Sequence, residues 1–150
     1  MKPDEFSAAQ LAQLSTLIEN GNLKSVAMDL EKAHVFLAQA AEVIDDFVNV
    51  KSAGVLYDMS CNACHAVGEA MLSAYGYRTN SREGQHAILG EFLGIVFANT
   101  SAQEATQNFD GLRRSRNARQ YEARPVGNSQ ATLAVKTAKE LFKQGFVQVN

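Results

Sequence analysis

Pro3 and Pro125 are the only prolines among 150 residues, so nearly the whole chain lacks the residue that most reliably breaks a helix. Between them Ala, Leu, Glu, Lys and Gln are abundant, and apolar residues recur at spacings of three and four. That is the period of a helix with one buried face. The expectation is an all-α protein, an antiparallel helical bundle of five or six helices in one domain over residues 1–150. A chain of this length can bury most of its apolar surface in a single core.

The spacing predicts a first helix over about residues 5–19, stopped at "ENGN", where Gly21 can take the left-handed conformation that ends helices. Asn22 is then the expected cap of a long second helix reaching about residue 49, with Leu23, Val26, Leu30, Leu37, Ala41, Ile44 and Val48 on one face. A third helix follows "NVKSAG" and runs to about Tyr75, its inward stripe Leu56, Met59, Ala63, Val67, Ala70 and Ala74. The fourth spans about Ser81–Ala98, and its Gly90 and Gly94 would let a neighbouring helix approach closely. Ser101 and Glu104 have the spacing of a capping box opening a fifth helix through "RRSRNARQYE". After Pro125 and Gly127, Ser129 is the expected cap of a sixth, carrying Leu133, Val135, Ala138, Leu141 and Phe142.

Apolar residues at 46% and charged residues at 20% suit a globular chain. A net charge of -2 argues against a uniformly basic surface and leaves room for a local basic patch. The N-terminal "MKPDEFSAAQLAQL" is acidic at positions 4 and 5 and has no unbroken apolar run, so a cytoplasmic protein is expected. No apolar stretch approaches the roughly 18 residues of a membrane span. Two cysteines in a reducing compartment do not make a disulfide framework.

Residues 61–65 spell "CNACH", the bare pattern of c-type haem attachment. The pattern lies inside a long amphipathic stretch, which puts Cys61 and His65 roughly opposite the Ala63/Val67 stripe and Cys64 on its flank. Packing within a bundle is therefore the expected role, with no haem. A metal site remains the next alternative, since Cys61, Cys64 and His65 share a helical face. It would need a fourth ligand from His86, Asp58, His34 or water. A redox Cys-x-x-Cys normally opens a helix rather than sitting in its middle.

The stronger anomaly is "FDGLRRSRNARQYEARP", residues 109–125, which holds Arg113, Arg114, Arg116, Arg119 and Arg124 and no lysine. A guanidinium binds phosphate or carboxylate through two parallel hydrogen bonds and stays charged when partly buried. One account is a solvated charged face with arginines paired to Asp110, Glu104 and Glu122. The other is a phosphate- or RNA-facing site, favoured by Asn117 within the cluster and Tyr121 one turn away.

Taken with "YDMSCNACHAVGEAMLSAYGYRT" and "REGQHAILGEF", the segment "LRRSRNARQYE" gives the chain a resemblance to the HEPN domains, small α-helical bundles of prokaryotic toxin–antitoxin and defence systems. The resemblance covers most of the chain and is closest to a branch with "RRxRNxxxY" in place of the usual signature of Arg, a short spacer and His. It implies a homodimer with the Arg116 helix at or near its interface, metal-independent RNA cleavage without a cofactor, and a nucleotidyltransferase-like antitoxin as a possible partner. By position Arg116, Asn117 and Tyr121 take the catalytic places, and Arg113, Arg114 and Arg119 become RNA-binding candidates. Tyr121 stands where the His would be, and a phenol is a poor general base near neutral pH. No His follows His86. The implied outcomes are a ribonuclease in which Tyr121 only orients, or a protein that binds RNA, a nucleotide or a partner without cutting. The alternative of another class is a non-enzymatic dimerisation or scaffolding module whose arginines form salt bridges between subunits.

Overall fold

The computed structural model describes residues 5–80 and 85–150, with the backbone alone for residues 85 and 86. The start expected at Ser81 and the His86 side chain lie outside the described residues. Among these residues six α-helices and one two-stranded antiparallel sheet form a helical bundle. The helices are α1 (Ala8–Glu19), α2 (Leu30–Asp46), α3 (Ala53–Tyr75), α4 (Gln85–Val96), α5 (Gln103–Glu122) and α6 (Asn128–Val149). The strands are β1 (Leu23–Ser25) and β2 (Tyr77–Thr79).

α1 starts on a true capping box: Ser7 Oγ accepts from Gln10 N at 3.2 Å, and Gln10 Oε1 accepts from Ser7 N at 2.8 Å. The same glutamine donates through Nε2 to the buried Ile95 carbonyl at 2.8 Å, pinning α1 to the end of α4. Gly21 has φ 74°, the left-handed turn expected after this helix.

The next segment departs from its expected course. Leu23 does not open a helix but pairs as β1 with Thr79 of β2, and helix α2 begins only at Leu30. Its cap is Asp29, not Asn22, with Oδ1 accepting from Lys32 N at 2.9 Å. Two long-range backbone bonds explain the delay, since Val26 N donates to Gly76 O at 2.9 Å and Asp29 N to Ser73 O at 2.8 Å. They hold the 26–29 segment against the end of α3 in a conformation a helix cannot share. Helix α2 ends at Asp46, and a 3-10 turn over Phe47–Asn49 buries Phe47 while leaving Val48 87% exposed.

α3 is the central helix, packed against α2, α6, α4 and α5. Ser52 caps its start, and Gly76 ends it at φ 80°. Its second half is buried nearly all round, with Val67, Ala70 and Met71 at zero exposure. At Gly68 an added Cβ would lie 2.7 Å from the Leu89 side chain, so only glycine admits α4 this close. Gly90 likewise lets Phe109 of α5 approach, and Gly94 is in ordinary contact range of Thr106.

The Ser101/Glu104 capping box does not form. Thr100 Oγ1 accepts from Ala102 N, and Gln103 Oε1 accepts from Asn99 N at 2.9 Å, so the turn before α5 is closed by different side chains. α6 begins one residue before Ser129, where Gln130 Oε1 accepts from Gly127 N at 2.9 Å. No described helix is long and apolar enough to cross a membrane.

Candidate functional site

α5 meets α3 and α6 through a small apolar cluster of Tyr57, Cys61, Leu112 and Ala134, separate from the main core. Tyr57 is buried, and its Oη donates to the Leu112 carbonyl at 2.7 Å, which fixes α3 and α5 in register. Burial pushes the Tyr57 phenol up to about 12, helped by the neighbouring Cys61. It therefore stays a neutral donor.

Beside this cluster the two helices enclose a cavity of about 370 Å³. On α5 the lining follows helical spacing, from Phe109 through Arg113, Arg116 and Asn117 to Gln120 and Tyr121. On α3 it is Cys61, Asn62 and His65. The two sequence features that stood some fifty residues apart thus face each other. Of the residues singled out on α5, Arg113, Arg116, Asn117 and Tyr121 reach the cavity; Tyr121 stands at its rim, 83% exposed. Arg114 and Arg119 face elsewhere. Arg114 lines a second hollow between α5 and α6, and Arg119 a third at the start of α3.

The arginines are partly compensated. Arg113 donates to Asp110 Oδ1 from both Nε at 3.2 Å and Nη2 at 2.8 Å, and Arg114 lies 3.1 Å from Asp110 Oδ2. These contacts hold the Asp110 carboxyl below its usual range. Arg124 pairs with Glu122 at 2.9 Å. The partner that sequence reasoning missed in this role is Asp58 on α3, whose Oδ2 lies 3.5 Å from Arg119 Nη1 and whose Oδ1 lies 4.0 Å from Arg116 Nε. Neither Arg116 Nε nor Asp58 Oδ1 makes a hydrogen bond, although both atoms are buried. Charge alone holds that pair, and an unmet buried donor is costly. The Arg119 guanidinium occupies the space a Cβ at Gly54 would need, so it lies against the first turn of α3.

Cys61 lies opposite the main stripe, as the helical wheel suggested, but it is not left at a surface. It is 6% exposed, because the face opposite the main stripe is covered by α5. Cys64 belongs to the main core at zero exposure. Burial pushes the Cys61 thiol up to about 11, with Arg116 opposing, and raises Cys64 well above its ordinary value. Both sulfurs therefore remain protonated near neutral pH, a poor state for nucleophilic attack or disulfide exchange. Among the described residues no three His, Cys, Asp or Glu side chains converge as a metal site.

His65 is the unanticipated member. Its Nε2 lies 3.5 Å from Glu69 Oε1, one turn along α3, and its side chain is 36% exposed. Burial raises the Glu69 carboxyl, and Lys32 of α2 opposes that shift. The signal in the sequence was the i, i+4 spacing of Cys61, His65 and Glu69, but only the packing of α3 on α5 puts His65 among arginines.

The cavity presents two guanidiniums, amides from both helices, an imidazole and an exposed aromatic ring, a donor-rich set suited to an oxyanion beside a planar group. No protein-family model, no curated protein and no solved structure matches the chain.

Proposed function

We propose that the protein is a HEPN-like RNA-binding protein of a toxin–antitoxin or defence system, with the α3/α5 cavity as its RNA site and metal-independent cleavage as the reaction such a site would serve. The observation that carries this reading is the convergence of Arg113, Arg116 and Asn117 with Asn62 and His65 around one cavity. Arg116 and Arg113, both lining the cavity, receive phosphate oxygens through their guanidiniums. Asn62, Asn117 and Gln120 supply neutral hydrogen bonds. Tyr121, exposed at the rim, stacks on an unpaired base.

The charge balance supports the same reading. The arginine ion pairs seen among the described residues share three carboxylates, Asp58, Asp110 and Glu122, between five guanidiniums. That leaves local positive charge on a chain that is acidic overall. A second copy of the chain packs near α5 on this reading, as the resemblance implies. The defence setting and the nucleotidyltransferase-like antitoxin rest on the resemblance.

The test is incubation of the purified protein with a mixed RNA pool beside an Arg116→Ala control. RNA binding or cleavage by the parent, lost in the control, is the expected result. Equal RNA behaviour of the two proteins would move the site elsewhere. An unchanged RNA pool with a dimer that depends on Arg116 would favour the scaffolding alternative.

A further inference from the structure

A phosphate-binding cavity becomes a ribonuclease only if a group in it can move a proton. Tyr121 is poorly placed for that, standing in solvent at the rim. His65 lines the same cavity from the opposite helix, facing Arg113, Arg116 and Asn117. Imidazole is the side chain whose ordinary pKa suits proton transfer near neutral pH. A carboxylate stands behind it, since Glu69 Oε1 is 3.5 Å from Nε2. The arrangement is an imidazole backed by a carboxylate on one helix, opposed by guanidiniums on another.

We propose that His65 is the catalytic acid–base residue for RNA cleavage in the α3/α5 cavity, with Glu69 as the positioning residue that orients its ring. The inference rests on the RNA reading above and names the residue that does the chemistry. The neutral imidazole accepts the proton of the 2′-hydroxyl as O2′ forms its bond to phosphorus. The bond from phosphorus to O5′ breaks, and the imidazolium returns that proton to the departing 5′-oxygen. The products are a 2′,3′-cyclic phosphate and a 5′-hydroxyl, with no water, metal or redox partner consumed. Arg116 and Arg113 stabilise the charge that gathers on the non-bridging oxygens. Asp58 holds Arg116 by charge toward α3, the helix that carries His65.

This assigns "CNACH" a role unrelated to haem. Cys61 anchors the cavity floor in the apolar cluster, Asn62 offers an exposed amide, and His65 supplies the imidazole one turn on. The two thiols do no chemistry.

The experiment compares the full-length parent with His65→Gln, Glu69→Gln and Arg116→Ala on a mixed-sequence RNA in excess chelator, measuring end-group chemistry, kcat, KM and RNA affinity. Folding of each variant is checked by circular dichroism. The parent is expected to release fragments ending in 2′,3′-cyclic phosphate, and His65→Gln to lose kcat by about 100-fold or more with little change in affinity. A His65→Gly variant regains part of the lost rate with added imidazole, which a purely structural role would not allow. Glu69→Gln lowers kcat by roughly tenfold without altering KM. If His65→Gln cuts as fast as the parent, the inference is overturned while the ribonuclease reading stands. If the parent binds RNA through Arg116 and never cuts it, the inference is again overturned and RNA binding alone survives. A parent that neither binds nor cuts RNA removes both.

Discussion

Tyr57 shows how much of this site depends on one atom. Its Oη spans from α3 to the Leu112 carbonyl beside the small apolar cluster that joins the two helices. Tyr57→Phe keeps the ring and removes the bond, so it should destabilise the protein by about 1–2 kcal/mol, read as a lower urea midpoint at unchanged slope. An unchanged midpoint would mean that the α3/α5 register is set by packing alone. The cysteines make a second prediction at this scale. With the Cys61 thiol pushed from 9.0 to about 11, the folded chain keeps its proton while an unfolded thiol ionises. Stability is therefore insensitive to this group below about pH 9 and falls as pH rises from there toward 11, with Cys64 acting in the same direction. A thiol reagent at neutral pH should label neither cysteine until the protein is unfolded. Rapid labelling of the native protein would contradict their burial.

Between the elements, the decisive contact is that of α3 with α5, and Asp58 sits at its centre. The carboxylate lies between Arg116 and Arg119, where it ties α5 down and, on the proposed reading, would compete with a phosphate for Arg116. Asp58→Asn should lower the melting temperature and tighten RNA binding several-fold, because removing one negative charge about 4 Å from a guanidinium favours an incoming anion. A loss of affinity would show that Asp58 orients Arg116 more than it opposes the ligand. Much of the helical frame was legible in the sequence, because Gly21 and the apolar spacing of α3 and α6 act locally. β1 was not, since "LKS" is too short to carry a strand pattern and owes its conformation to a partner some fifty residues away. The arginines were visible for the same local reason as the helices. His65 and Asp58 were not visible as their neighbours, because a helical wheel of α3 cannot tell a solvent face from one covered by a second helix.

At the scale of the whole molecule, the proposed RNA site is shared between α3 and α5, and neither helix could form it alone. On the proposed reading the arginines of this region, not the net charge of -2, attract RNA, so binding should weaken with salt through the few phosphates they hold. The remainder of the bundle serves as the rigid body that holds the two helices, with α3 braced by α2, α4 and α6. The most direct measurement is photocrosslinking of a 4-thiouridine RNA to the protein, followed by mapping of the modified peptides. Crosslinks should fall on both walls of the cavity, at Tyr121 on α5 and at Asn62 or His65 on α3. Crosslinks confined to α1, α2 or α4, with neither wall modified, would contradict the account.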